Sequence, residues 1–235
     1  MIVSHKHKFI FIHLGRTGGR SLTAALAKAC GPKDIVTRAK GAERNHTGYW
    51  RHTKAIEVRD RIGRDRYEEY FKFTIERNPW DKIISRYWSY VGQNRKPLYK
   101  KIPEYVTGKP LSFRTWFELR LLQGRTIGFG HYKFPRHYDC YTDDGEIIVD
   151  FIGRHENLDE HTAEIFDRLK LKVDVTKRYG TKRHKERRSY TDLFDQRMNE
   201  VVETHFEKDL ALLGYRFGEP PPLAAIEPGR QPQTG

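Results

Sequence analysis

Sulfur is scarce in this chain: 235 residues hold two cysteines and two methionines. Cys30 and Cys140 lie far apart and fit no zinc spacing. That excludes a small disulfide-stapled scaffold and a cysteine-rich metal module, and two thiols in a reducing cytoplasm are the simpler expectation. Long apolar runs are missing too. None approaches the roughly 20 residues that a bilayer-spanning helix needs, so no transmembrane segment is expected. Met1 to Lys8, with its His and Lys, is too short and too mixed for a secretory signal, and a cytoplasmic protein is expected. The third shortage is negative charge: 31 acidic against 44 basic side chains give a formal charge of +13. Such a surface draws polyanions, whether nucleic acid, acidic glycan, anionic lipid or nucleotide. No internal repeat is present.

What remains is enough for one substantial domain with its own core, since 37% of the residues are hydrophobic and 13% aromatic. Phe9 to His13 is a bulky apolar run, predicted as a buried strand. Gly15 to Gly19 form a loop, and Ser21 opens a helix with Leu22, Ala25, Leu26 and Ala29 on one face, stopped by Gly31-Pro32. Thr53 to Ile62 is predicted helical. Tyr70 to Arg77 is a second strand, and Asn78-Pro79 starts a helix that continues through Ile83, Ile84, Tyr87, Trp88 and Val91. Phe113 to Leu122 is predicted helical, Ile147 to Ile152 is a third strand, and a helix runs from about Asp159 to Leu169. One last helix spans Phe194 to Leu213 and ends at Gly214. Strands alternating with helices predict an α/β fold, P-loop-like and three-layered, with a central, mainly parallel sheet flanked by helices. Residues 1–217 form the domain, and residues 218–235, rich in proline and glycine, are expected to be a disordered tail.

A strand feeding a glycine loop and then a helix start is an anion site, because free amide N–H groups converge there and the helix dipole adds positive charge. Gly18 and Gly19 let the backbone close around a phosphate-like group. Arg16 and Arg20 can add charge, and Thr17 and Ser21 hydroxyl donors. The nucleoside-triphosphate loop G-x-x-x-x-G-K-[ST] fits poorly: Arg20 stands at its lysine and Leu14 at its first glycine. A second cluster, "RNPWDKIISRYW", puts Arg77 at a strand end and Ser85 about two turns into the next helix. Together the clusters predict a ligand with two separated anionic groups.

"FIHLGRTGGRSL" resembles the 5′-phosphosulfate loop of sulfotransferases, close to the F-I-H-x-P-K-T-G-G-T-S-L pattern of carbohydrate-type and related bacterial members. "FKFTIERNPWDKIISRYWSY" resembles their 3′-phosphate motif, with Arg77 and Ser85 at its spacing. "VDFIGRHENLDE" is similar to a third family segment and "LALLGYRF" to the usual C-terminal ending. The four cover most of residues 9–217 in order. Gly15, Arg16 and Arg20 stand where the pattern has proline, lysine and threonine.

The resemblance implies 3′-phosphoadenosine-5′-phosphosulfate (PAPS) as donor, with Arg16, Thr17, Gly18, Gly19, Arg20 and Ser21 at its phosphosulfate, Arg77 and Ser85 at its 3′-phosphate, and no metal. It also implies that Arg16 clamps the leaving phosphate. An acceptor hydroxyl needs a general base. His52 falls where heparan-sulfate 2-O-sulfotransferase and similar members hold a catalytic histidine, and a helix N-terminus just beyond it favours the neutral ring. His46 and Glu43 are the substitutes, and His13 is expected to orient the loop. The basic run Lys177 to Arg188 is either a solvated loop or, by resemblance, brings Thr181, Lys182 or Arg183 over the nucleotide. Arg95, Lys96, Lys100 and Lys101 form a patch able to receive an acidic acceptor. The expected partner is a hydroxyl-bearing glycan or other small molecule. Two other readings stay open. A kinase-like phosphotransferase would need acidic Mg²⁺ ligands, for which Asp150 is the candidate. A nucleic-acid-binding protein would need exposed aromatics among basic residues, whereas most aromatics here sit at core-like positions, so nucleic acid is not the expected partner.

Overall fold

A computed structural model describes residues 1–37, 48–91, 111–126, 136–172 and 189–228. The main sheet has five strands: β1 (Ile2–Ser4), β2 (Phe9–Ile12), β3 (Ile35–Val36), β4 (Phe71–Glu76) and, last in the chain, the strand Phe151–Arg154. They lie in the order β3, β1, β2, β4, Phe151–Arg154. The last three are parallel, with Phe9 opposite Phe71 and Phe73 opposite Phe151, while β1 runs antiparallel to both neighbours. The sheet is therefore mixed rather than mainly parallel. Ile2, Val3 and Ser4 are all buried, and a three-residue strand is too short to stand out in a stretch that also carries His and Lys.

The sheet is covered on both faces. Phe9, Phe11, Phe73, Ile75 and Phe151 pack on α1 (Gly19–Ala29) and on the helix Leu158–Arg168 through Leu22, Leu26, Ile165 and Phe166. Ile10, Ile12 and Ile152 face the other way, against α4 (Pro79–Val91), the helix Phe113–Thr126 and the C-terminal helices, with Trp80, Ile83, Trp116 and Phe117 between them. Strands buried on both faces need uninterrupted apolar sequence, as in the run Phe-Ile-Phe-Ile of β2. Two short helices, α2 (Ala55–Ile62) and α3 (Arg64–Glu69), precede β4.

Helix starts follow local chemistry. Asn78 Oδ1 accepts from Trp80 N at 3.0 Å, and Pro79 takes the first helical position of α4. The predicted last helix is two, Gln196–His205 and Glu207–Leu213, because Phe206 leaves helical geometry at φ −107°, ψ 20°. Gly214 closes the second in the left-handed conformation.

Two further expectations are corrected. The predicted strand Ile147 to Ile152 is split: Glu146–Ile147 pairs with Thr142–Asp143 in a small hairpin (β5, Thr142–Asp143; β6, Glu146–Ile147; the sheet strand Phe151–Arg154 is thus β7). Asp144 and Gly145, both at positive φ, make its turn, the pattern that an Asp-Gly pair encodes. Asp150 then bends the chain into the sheet by accepting from Lys72 N at 2.8 Å. The tail expected to be disordered is ordered over residues 218–228. Ile226 bridges Ile152 through two backbone bonds of 2.8 and 3.0 Å, Arg154 Nε donates to Ala224 O, and Arg168 pairs with Glu227 at 2.8 Å. Proline-rich composition signals an irregular path, and here that path is held by the Ile152 backbone and Arg154 side chain of β7 and by Arg168 of α6 (Leu158–Arg168, where α5 is Phe113–Thr126).

Candidate active site

Parallel strands deliver their C-terminal ends to one edge, so the residues after β2, β4 and β7 meet there. After β2 the chain turns through Gly15 to Gly18 into α1. Arg16 sits at φ 70° and Gly18 at φ 83°. A left-handed arginine is an uncommon, strained conformer that persists where surrounding contacts enforce it. Helix α1 begins at Gly19, two residues before the expected Ser21; its cap residue Gly18 makes no side-chain cap bond, and its first turn has no acidic residue. A helix amide end of this kind attracts negative charge.

Neighbouring protein explains both glycines. A Cβ on Gly19 would stand 2.4 Å from His13 Cδ2, and one on Gly18 would stand 2.9 Å from Leu158 Cδ2. Bare backbone at this turn thus lets the loop close on His13 and α6, whatever it also does for a ligand. Thr17 is buried and its hydroxyl donates to Leu14 O at 3.2 Å, so that hydroxyl supports the loop from within. Arg20 is exposed and Ser21 partly exposed at the start of α1.

The second cluster meets the first. Arg77, at the end of β4, is buried; its Nη1 donates to Arg16 O at 3.3 Å and its Nη2 lies 3.5 Å from Asp81, while its buried Nε has no hydrogen-bond partner among the described residues. The Arg16 side chain crosses to Ser85, with Nε 3.2 Å and Nη2 3.0 Å from Ser85 Oγ and a further bond from Nη2 to Ser85 O. Arg16, Arg77 and Ser85, spread over nearly seventy residues, form one contact set. The segment after β7 joins them: Glu156 accepts from Asn78 N at 2.8 Å and from Tyr215 Oη at 2.7 Å, and the Arg154 guanidinium lies 5.1 Å over the Tyr215 ring.

His52 approaches from the other side of the loop. Its Nδ1 lies 2.7 Å from His13 O, a carbonyl that can only accept, so the neutral ring carries its proton on Nδ1 and its lone pair on Nε2. The side chain is open to solvent on one side. Partial burial of the ring lowers its pKa from the ordinary 6.5, with the Arg51 charge acting the same way, against the hydrogen bond to His13 O. His13 is buried 5.3 Å from the His52 ring, and burial drives its pKa down to about 2. It is neutral support for the loop.

Sequence reasoning missed a buried polar cluster beneath this edge. Lys82 Nζ lies 3.2 Å from Glu76 Oε2, 3.5 Å from Asp209 Oδ1 and 3.3 Å from His137 Nδ1. Burial alone would raise the Glu76 pKa, but Lys82 and His137 outweigh it and hold it at about 2. Burial raises that of Asp209. Lys82 falls on the surface-like spacing of an amphipathic helix, and its partners are distant in sequence, so only the fold reveals them. Lys182, Arg183, Thr181, His46, Glu43 and the patch Arg95, Lys96, Lys100 and Lys101 lie outside the described residues. Among the described residues no group of three or more His, Cys, Asp or Glu converges as a metal site, and no helix is long and apolar enough to cross a membrane.

Residues 1–216 match the profile of the Sulfotransferase family. The chain belongs to the sulfotransferase family. Its match covers all three strand ends of the edge described above. An "Uncharacterized protein" of Archaeoglobus fulgidus is 31% identical over 125 residues, 53% of this chain and 88% of that protein. No solved structure matches the chain. A sulfotransferase must hold an activated sulfuryl group in line with an acceptor and neutralise the charge left on the departing group. The amide end of α1 and the arginines beside it are chemically suited to that task.

Proposed function

We propose that this sulfotransferase moves a sulfuryl group from PAPS to a hydroxyl, on a carbohydrate acceptor, in the manner of the branch that includes heparan-sulfate 2-O-sulfotransferase. The observation that carries the reading is the contact set of Arg77, the Arg16 backbone and Ser85, which brings the two anion-binding segments side by side. The P-loop-like turn from Arg16 to Ser21 holds the 5′-phosphosulfate through the amides of α1, Arg16, Arg20 and the Ser21 hydroxyl. Arg77 and Ser85 hold the 3′-phosphate, and the unpartnered Arg77 Nε is a donor in reserve for it. Lys182 and Arg183 complete the nucleotide site by resemblance. As the acceptor oxygen attacks sulfur, His52 Nε2 takes its proton, the bond from sulfur to the phosphate oxygen breaks, and Arg16 with the loop amides stabilises the charge on departing adenosine 3′,5′-bisphosphate. No metal is required. Neither Cys30 nor Cys140 is in a disulfide, in keeping with a cytoplasmic location.

A kinase-like reading finds less support, since Asp150, its candidate magnesium ligand, is engaged by Lys72 through the backbone N–H and by Nζ at 3.2 Å. The test is transfer of radiolabelled sulfate from PAPS to a panel of glycans, beside thermal shifts with adenosine 3′,5′-bisphosphate, ATP–Mg²⁺ and single-stranded DNA. Label on a glycan and stabilisation by the bisphosphate are expected. Preference for ATP–Mg²⁺, or salt-sensitive DNA binding without a nucleotide effect, would replace this reading.

A further inference from the structure

Trp50 stands in water on the turn that carries His52. It is 77% exposed, whereas Trp80 and Trp116 are buried. The turn itself is braced. Thr53 N donates to Trp50 O at 3.2 Å, and the Thr53 hydroxyl accepts from Trp50 N and donates to Trp50 O, both at 2.8 Å. Thr53 is buried, so these bonds are anchored in the protein. Trp50 and His52 are thus the first and third residues of one four-residue turn, whose ends lie within about 7 Å. An indole on such a turn offers a broad apolar face at little cost in conformational freedom.

Beyond His52 in the chain, a cleft of about 560 Å³ opens. Lys54, two residues after His52, lines it, and so does Tyr138, which follows His137. The His52 and His137 rings each come within 3.9 Å of one point, the place of a Cβ on Gly15. The cleft therefore starts where these two segments leave the donor loop. Its charged lining among the described residues is Lys54, Lys208, Asp139, Asp143 and Asp144. Arg59 donates to Asp143 at 2.8 Å. The other four, all exposed, cancel as two ammonium groups against two carboxylates. In a chain of formal charge +13, that balance beside the base is selective. A polyanion meets Asp139 and Asp144, and a polycation meets the two lysines. Sugar hydroxyls, which both donate and accept, suit all four.

We propose that the acceptor is an uncharged glycan, one sugar stacked on Trp50 and the hydroxyls of its neighbour bound by Lys54, Lys208, Asp139 and Asp144. This rests on His52 as base and a carbohydrate hydroxyl as acceptor, and narrows that acceptor to glycans without carboxylate or sulfate groups. Stacking holds one hydroxyl at His52 Nε2; the indole takes no part in moving the proton.

Sulfate transfer to two oligosaccharides of equal length tests it, one of neutral hexoses and one with a uronic acid at every second sugar. The neutral one should have a kcat/KM at least about 10-fold higher, since juxtaposed like charges cost that factor or more. Trp50→Ala should raise its KM about 10-fold, the order for an aromatic anchor, with bisphosphate affinity unchanged, and Trp50→Phe should recover most of that loss. Asp139→Lys should move the kcat/KM ratio toward the acidic oligosaccharide by up to about 5-fold, the range of one exposed charge pair. Tryptophan emission of the bisphosphate complex should change on titration with the neutral oligosaccharide, and that change should be absent from Trp50→Phe. Equal or higher turnover of the acidic oligosaccharide, a wild-type KM in Trp50→Ala, or an emission change that persists in Trp50→Phe would overturn this inference and leave the PAPS reading standing. Bisphosphate binding without transfer to either oligosaccharide would overturn it together with the carbohydrate acceptor. Failure of the wild-type protein to bind the bisphosphate would overturn the donor reading as well.

Discussion

Gly19→Ala separates two reasons for bare backbone at the donor loop. The added Cβ would meet the His13 ring at 2.4, 2.6 and 3.2 Å. His13 is 4% exposed and stacked 5.7 Å from Phe11, so the ring cannot swing aside as a flexible chain end would. Overpacking of this kind costs about 1–3 kcal/mol. Alanine recovers part of it by helix propensity, at most about 1 kcal/mol in a helix interior and less at the first helical position. The net expectation is a loss of about 1–2 kcal/mol, which for a chain of this size lowers Tm by about 2–8 °C. Gly15→Ala is the control. Its Cβ has ordinary contacts at 3.9 Å and Gly15 is not at positive φ, so a gain of about 0.4–1 kcal/mol is expected from the restricted unfolded chain. Thermal denaturation without nucleotide decides between the cases. A Gly19→Ala protein as stable as wild type, yet unable to bind adenosine 3′,5′-bisphosphate, would show that the glycine serves the ligand and not His13.

Acid should destabilise the fold before its carboxylates titrate. His13 binds a proton below about pH 6.5 when unfolded and not until about pH 2 when folded, so stability is lost as pH falls, by about 2 kcal/mol between pH 7 and 5. Chemical denaturation at those two pH values, with His13→Gln as comparison, checks it; equal stability at both would contradict the burial of a neutral His13. His52→Ala should reduce kcat roughly 100-fold or more with nucleotide affinity retained. Because His52 must be neutral to act and its pKa is lowered, the acidic limb of wild-type kcat/KM should lie below pH 6.5; a limb above it, or an active alanine variant, would place the base elsewhere.

The glycine loop, β2, β4 and the Asn78-Pro79 helix start were legible because each is written in contiguous residues with its own period or cap. The pairing of Arg77 with the loop was legible only as two anion clusters; their contact depends on β2 and β4 being parallel neighbours. The antiparallel β1, the return of Ile226 to Ile152 and the cluster of Glu76, Lys82, His137 and Asp209 left no local trace. Glu76 and His137 are 61 residues apart, and a lysine buried against two carboxylates looks, in sequence, like a lysine in water. The Asp144-Gly145 hairpin is different: its turn chemistry is local, but the apolar run Ile147 to Val149 beside it reads as the start of the sheet strand.

The central claim is that the loop and Arg77 hold two ends of one nucleotide. Calorimetric binding of adenosine 3′,5′-bisphosphate and of 5′-AMP to wild type and to Arg77→Ala tests it most directly. The variant should lose about 1.5–3 kcal/mol toward the bisphosphate, the range for hydrogen bonds to a charged group, and bind 5′-AMP as wild type does. Equal losses toward both nucleotides, or no loss toward either, would contradict it.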